Sequence, residues 1–372
     1  MKVVRRDELA PGLWDELVMT SRQTWLFHVD GWVSHEAALT DARDFSFALT
    51  SGGRVVAVVP LFLSEVGLGA FTETLIHNSL HRQTGIALSP ELDDEQKKLA
   101  WQDVMTEVLR LSELHGADRI HFGEQNLSDE CLSAERREVP FYVTDYGFQL
   151  GLAYGPSGFQ PFPGGATTVV DQIIDLRQSE ERLMANLKSV CRRNVRSSAK
   201  AGVTCVDATQ DINLVDRYYA LAENSAKRTG EVLAARDHFS TLFERFGPRY
   251  LSVLIARCGE ADCAALILLH FKGKMYYFAG VSHSDYHKVF VNDAIQWAAI
   301  LHGKKAGYSH YRLGPVFPTA TRGWPIETVT RFKGKFGAAP RTIIQGSFFM
   351  HPEKYAPIAE AHLARLQEGY GE

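Results

Sequence analysis

Apolar positions along this chain gather into short continuous runs and longer helical stretches. "GGRVVAVVPLFLSE" (52–65) is a run of the first kind, entered from a Gly-Gly turn, and predicts a buried strand. "DDEQKKLAWQDVMTEVLRLSELH" (93–115) predicts a helix whose leading acids suit the positive end of the helix dipole. "GADRIHFG" (116–123) then supplies a glycine stop and a strand. The same order returns later. "EADCAALILLHFKGKMYYFAG" (260–280) predicts two strands joined by a Lys-Gly-Lys turn, "VNDAIQWAAILHGKKA" (291–306) a helix, and "GYSHYRLG" (307–314) a glycine stop and a strand. A helix–glycine–strand unit written twice predicts two copies of one α/β fold rather than two unrelated domains.

Between the copies, "LGLAYGPSGFQPFPGGA" (150–166) is dense in glycine and proline and reads as a linker. It divides the 372 residues into domains at 1–150 and 167–372, the second opening on the strand "TTVVDQIIDL" (167–176). A hydrophobic fraction of 45% and a charged fraction of 23% are ordinary for a globular protein with a sizeable core. The net charge of −4 excludes a generally basic nucleic-acid coat, so any polyanion must be held by a local patch. The N-terminal stretch has no apolar h-region, and runs such as "CAALILLHF" (263–271) fall short of the roughly 20 residues of a membrane span. The five cysteines are irregularly spaced and form no CxxC pair. A cytoplasmic protein with reduced thiols and no membrane span is expected.

One passage breaks the acidic balance. "SVCRRNVRSSAKAGV" (189–203) lies in a predicted helix over about 180–201, capped by Ser179 and stopped by Gly202. At 100° per residue, Leu183, Met184, Leu187, Val190, Cys191 and Val195 share one side. Lys188, Arg192, Arg193, Arg196 and Lys200 fall on the other, with no acid among them. Such a row is either a solvated face or a site for phosphates, and guanidinium forks suit phosphate geometry.

Three passages together carry a resemblance: "LMANLKSVCRRNVRSSAKAGV" (183–203), "MYYFAGVSHSDYHKVFVNDAIQWAAILHGKKAGYSHYRLG" (275–314) and "RFKGKFGAAP" (331–340). Their order and spacing resemble the FemABX family and related GNAT-like acyltransferases, with Phe332, Lys333, Phe336 and Gly337 matching the family's Phe-Lys-x-x-Phe-Gly signature. The likeness covers most of 167–345 and reaches the first half only through architecture. It implies an α/β (α+β) chain of two tandem GNAT-like domains, each a mixed twisted sheet flanked by helices. It also implies transfer of an acyl group, often an aminoacyl group from aminoacyl-tRNA, onto an amine. The span from Gly202 to the strand at 250–256 is too short for the long helical-hairpin arm that some members carry.

The resemblance gives Lys333 the role of stabilising the developing oxyanion, the alternative being an exposed strand lysine. Arg228, in "AENSAKRTGEVLAARDHF", is similar to a family arginine that holds a phosphate-bearing acceptor, with Ser225 in the hydroxyl position and the following spacing stretched. Tyr277 is a second catalytic candidate if strand alternation points its hydroxyl into the cleft, core packing being the alternative. Trp25 and Trp32 in "TWLFHVDGW" resemble an aromatic segment near the acceptor, though aromatics at such spacing are commonly core. "HSDYH" (283–287) suggests metal ligands but has no further ligand cluster nearby, so no metal is expected. The junction "SHSDYHKVFVNDA" (282–294) lacks the glycines that bare the backbone amides of an ordinary CoA-pyrophosphate loop.

The expectation is therefore an aminoacyltransferase with no tightly bound cofactor, using aminoacyl-tRNA and a cell-wall precursor or specialised metabolite as amine acceptor. The alternatives are an N-acyltransferase that uses acyl-CoA or an acyl-carrier thioester in polysaccharide or secondary-metabolite assembly, and a non-catalytic RNA- or nucleotide-binding protein on a GNAT scaffold.

Overall fold

The computed structural model describes residues 1–67, 71–79, 84–133, 145–146, 149–150, 170–318, 325–357 and 360. The chain forms two compact units. The linker expected over 151–166 lies outside the described residues.

The first unit has a four-stranded antiparallel sheet of β1 (Lys2–Arg5), β3 (Phe47–Ser51), β4 (Arg54–Val59) and β7 (Ala87–Leu88). Its second sheet runs in the order β2 (Arg43–Asp44), β5 (Phe62–Gly67), β6 (Thr72–His77), β8 (Arg119–Gly123), β17 (Gln345–Phe349) and β9 (Gln149–Leu150). The helices are α1 (Leu13–Thr20), α2 (Asp30–Thr40), α3 (Asp94–Leu114) and α4 (Asp129–Ser133). The run at 52–65, predicted as one strand, is two, β4 and β5, placed in different sheets. Pro60 between them has no N–H to give to a ladder. A capping box starts α3, where Asp93 accepts the Gln96 N–H at 2.8 Å and Gln96 accepts the Asp93 N–H at 3.1 Å. Its Val104, Met105, Val108 and Leu111 enter one core with Phe47, Leu49, Ile76, Ile120 and Phe122.

The expected boundary of 167–372 for the second domain is corrected at its C-terminal side. β17 pairs antiparallel with β8 and belongs to the first unit. Buried polar pairs fix it there. Glu73 on β6 accepts from Nε and Nη2 of Arg119 on β8, at 2.6 and 2.9 Å, and Nη1 of Arg119 donates to Ser347 Oγ of β17 at 3.4 Å.

The second unit is one seven-stranded sheet in the order β11 (Val203–Asp207), β12 (Leu251–Cys258), β13 (Ala261–Phe271), β14 (Lys274–Ser282), β15 (His310–Val316), β10 (Val170–Asp175) and β16 (Ala339–Thr342). Its helices are α5 (Glu180–Asn186), α6 (Ser189–Lys200), α7 (Leu214–Thr229), α8 (Arg236–Phe246), α9 (Val291–Lys305) and α10 (Pro325–Lys333). The near-continuous apolar runs of β12 and β13 are explained by burial of both faces. Leu254, Ala256, Ala264, Leu266 and Leu268 join one core cluster with Ile295 and Ile300 of α9. The intervening Val253, Ile255, Ala265 and Ile267 are also fully buried. Lys272 and Gly273, with φ of 47° and 68°, make the two-residue turn between β13 and β14. The short span before β12 holds α7 and α8, which pack through Tyr218 and Phe239, ring centroids 5.0 Å apart.

The single helix expected over 180–201 is two, α5 and α6. Leu187 (ψ 143°) and Lys188 (ψ 148°) are extended between them, so the helical phase restarts at Ser189. The buried side of α6 is consequently Cys191, Asn194, Val195 and Ser198, while Val190, expected inside, is 43% exposed. No helix among the described residues is long and apolar enough to cross a membrane.

Candidate active site

The two units repeat one local geometry. In each, a helix ends at a left-handed glycine, Gly116 (φ 63°) after α3 and Gly307 (φ 77°) after α9, and the following strand pairs in parallel with an earlier one. β6 and β8 pair over Leu75–His77 and Arg119–His121, and β14 and β15 over Lys274–Tyr276 and His310–Arg312. Each parallel ladder then stops, and a gap opens between the strands. What fills that gap differs. In the first unit Asn78, just beyond the paired stretch, clamps Gly123 with its carboxamide: Nδ2 donates to the Gly123 carbonyl and Oδ1 accepts the Gly123 N–H, both at 3.0 Å. The matching positions in the second unit, two residues past Met275 and three past Tyr311, are Tyr277 and Gly314. No such clamp joins them, and the gap holds Lys333.

Lys333 is the last residue of α10 rather than a strand residue. Its ammonium donates to the Pro315 carbonyl at 3.2 Å and lies 6.0 Å from the centre of the Tyr277 ring. A Cβ at Gly314 would stand 3.1 Å from Lys333 Nζ, so glycine at that position (φ 87°) leaves room for the ammonium and meets a backbone angle that other residues resist. Lys333 forms no ion pair with any described residue. Burial lowers its pKa from 10.5 to about 8, with Asp171 pulling it up and Arg312 pushing it down. Tyr277 is on β14, half-buried, and burial raises its phenol to about 12, so the hydroxyl stays protonated. That hydroxyl lies over Gly280, where a Cβ would approach it to 2.4 Å. Lys333, Tyr277, Gly314 and the Pro315 carbonyl thus converge, and beside them is a buried ion pair, Arg312 Nε to Asp171 Oδ2 at 2.7 Å. An enclosed ammonium with N–H donors to spare is suited to a carbonyl oxygen that gains negative charge.

The cationic helix is placed partly as expected. Lys188, Arg193, Arg196 and Lys200 are exposed, and the last three form a row along α6. Arg192 is corrected out of that row. It turns back to the end of α5 and donates to the carbonyls of Ala185 (2.9 Å) and Leu187, because the break leaves these acceptors without helical partners. Arg228 is exposed at the end of α7, 3.3 Å from Ser225 Oγ, and it helps lower the pKa of His287. Trp25 and Trp32 are 0% and 1% exposed, both inside the first unit's core. In the 283–287 turn, His283 Nδ1 accepts the Asp285 N–H at 3.3 Å and His287 Nε2 meets Ser282 Oγ at 2.9 Å. Among the described residues no group of three or more His, Cys, Asp or Glu is placed to hold a metal.

The glycine-free junction before α9 contains more than a crowded backbone. Asp293, in the first turn of α9 and 4% exposed, meets Lys335 Nζ at 2.8 and 2.9 Å. Neighbouring Cys191 is pushed up to about 12 by burial and by Asp293. Asp171, Arg312, Asp293 and Gly314 were not singled out in the sequence. Asp171, set among the apolar residues of "VVDQII", was the available signal for the first of them.

Residues 185–323 match the family model for the acetyltransferase (GNAT) domain, a span that ends before Lys333. The second unit carries the GNAT acetyltransferase domain, a domain of acyl-transferring enzymes. The chain resembles FemX over 96% of its own length and 100% of that chain, at 13% identity and a TM-score of 0.69. It resembles the C-terminal domain of a putative lysylphosphatidylglycerol synthetase from Agrobacterium fabrum at 14% identity and a TM-score of 0.57, covering 94% of this chain and 95% of that one. L-PGS from Bacillus licheniformis aligns at 13% identity and a TM-score of 0.56, with 96% of each chain covered. Identities this low establish a shared fold. None of the curated proteins matches the chain.

Proposed function

We propose that the protein moves an aminoacyl group from aminoacyl-tRNA to the amine of a small or carrier-linked acceptor. The observation that carries this reading is the ammonium of Lys333, unpaired by any described carboxylate, in the gap between β14 and β15. In the reaction the acceptor nitrogen attacks the ester carbonyl carbon, and the carbonyl oxygen gains negative charge as the tetrahedral intermediate forms. Lys333 Nζ donates to that oxygen. The ribose oxygen then leaves, taking the proton shed by the amine, and an amide remains. An aminoacyl ester is already activated, so alignment and charge stabilisation supply most of what the reaction needs.

Two features favour a tRNA donor over CoA. The exposed row Arg193, Arg196 and Lys200, headed by Lys188, suits a phosphate backbone. The first turn of α9, where a diphosphate would seek the helix N-terminus, is already occupied by the carboxylate of Asp293 paired with Lys335, and no glycine bares the amides of the preceding junction. Arg228, at the exposed end of α7, is available to a phosphate on the acceptor.

A screen of charged tRNAs against acyl-CoAs, read by mass spectrometry of the acyl product, tests the donor. Transfer that RNase abolishes and added CoA thioesters do not restore is the expected result; transfer from acyl-CoA alone overturns it. Lys333→Ala is expected to abolish transfer and leave RNA binding intact.

A further inference from the structure

The pair Asp171–Arg312 lies one strand from the reactive ammonium. Asp171 on β10 is the cross-strand partner of Pro315 on β15, and the Pro315 carbonyl is the group that Lys333 holds. Asp171 is near enough to act electrostatically on Lys333, yet Lys333 forms no ion pair with any described residue. Asp171 is instead held by Arg312, with Nε 2.7 Å from Oδ2 and side-chain exposures of 3% and 0%. The Tyr276 ring, 4.9 Å from the guanidinium carbon, backs Arg312 from β14. The first unit provides an internal comparison. Its gap is closed by Asn78, and the position matching Arg312 is His121, whose Nδ1 meets Ser347 Oγ at 2.9 Å, a pairing with no carboxylate in it. The first unit's own buried pair, Glu73–Arg119, sits two residues earlier on β8.

We propose that Arg312 is a positioning residue that sequesters the Asp171 carboxylate from Lys333 and so keeps the ammonium's donors available to the acyl carbonyl oxygen. The proposal rests on Lys333 being the oxyanion-stabilising cation. Among the described residues, the groups facing Lys333 are Asp171 from β10, Arg312 from β15 and the Tyr277 ring from β14, while Lys335 on its own segment is taken up by Asp293. Loss of Arg312 alone would leave Asp171 to pair with Lys333. Loss of both charges would restore the balance.

The test measures the Lys333 titration directly, by competitive acetic anhydride labelling and peptide mass spectrometry across pH, beside the pH profile of kcat. The native chain is expected to titrate near pH 8. Arg312→Gln should raise that value by about one unit or more and lower kcat by about tenfold or more. Asp171→Asn should lower it, and the Asp171→Asn/Arg312→Gln double variant should return the titration and kcat to near-native values. An unchanged Lys333 titration in Arg312→Gln, or a double variant no better than the single, overturns the proposal. Should Arg312→Gln fail to fold, the other two variants decide: a Lys333 titration that does not fall in Asp171→Asn overturns it equally. Native activity in Lys333→Ala would instead refute the oxyanion reading, leaving the labelling result to stand on its own.

Discussion

Replacing Lys333 by methionine should make the protein more stable and inactive at once. In the folded chain the lysine loses its proton near pH 8, against 10.5 when unfolded. Between those values the unfolded chain holds a proton that the folded chain lacks, so stability rises with pH across that window. Below about pH 8 both states are protonated and the folded chain bears the whole penalty, roughly 3 kcal/mol at 1.36 kcal/mol per unit. Methionine keeps much of the apolar stem and removes the charge, but gives up the bond to Pro315, worth about 1 kcal/mol. A net gain of about 2 kcal/mol at pH 7 raises Tm by about 4–8 °C for a unit of this size. Calorimetry at pH 7 and pH 10 measures it, and the gain should largely vanish at pH 10, where the native lysine is neutral. Transfer activity should fall by about 100-fold or more. A variant no more stable than the native chain at pH 7, or one whose gain is equal at both pH values, would refute the argument that burial strains this ammonium.

Other consequences can be checked separately. Arg193→Ala and Arg196→Ala together should reduce the slope of log affinity for RNA against log salt by about 1–2, read by fluorescence anisotropy, with thermal stability unchanged. Asn78→Ala removes both bonds that close the first unit's gap and should cost about 1–3 kcal/mol in denaturant unfolding, while transfer by the folded protein persists. Gly314→Ala sets a Cβ 3.1 Å from Lys333 Nζ on a backbone of φ 87°, and kcat should fall more than KM changes.

The parts of the fold that were legible are those written locally. Helices α3 and α9, their glycine stops and the turn at Lys272–Gly273 each have a short-range cause, a cap, a left-handed residue or a periodic apolar face. The repeat was legible for the same reason, since "GADRIHFG" and "GYSHYRLG" each encode a stop and a strand. The break between α5 and α6 was not, because Leu187 fits the apolar spacing and neither glycine nor proline marks the change. Its effect on the site is specific: it turns Arg192 from a ligand candidate into a cap. Lys333 was reached through the family signature, but what surrounds it was hidden. Asp171 and Arg312 are far apart in the chain and touch only because β10 and β15 pair, a contact for which neither strand carries a local mark.

The return of β17 to the first unit reverses the order in which the two halves can finish during synthesis. Every strand of the second unit precedes Gln345 or ends before it, so that sheet's residues leave the ribosome complete while the first unit still lacks an interior strand. Until β17 arrives, β8 offers an open edge, and Ser347 is missing beside Arg119 and His121. The earlier half of the chain is thus the later to mature, and its unfinished edge is the surface that a chaperone or a neighbouring nascent chain would meet. A chain ended after Thr342 should keep the second unit resistant to brief proteolysis while the first is cleaved, a pattern that equal resistance in both units would contradict.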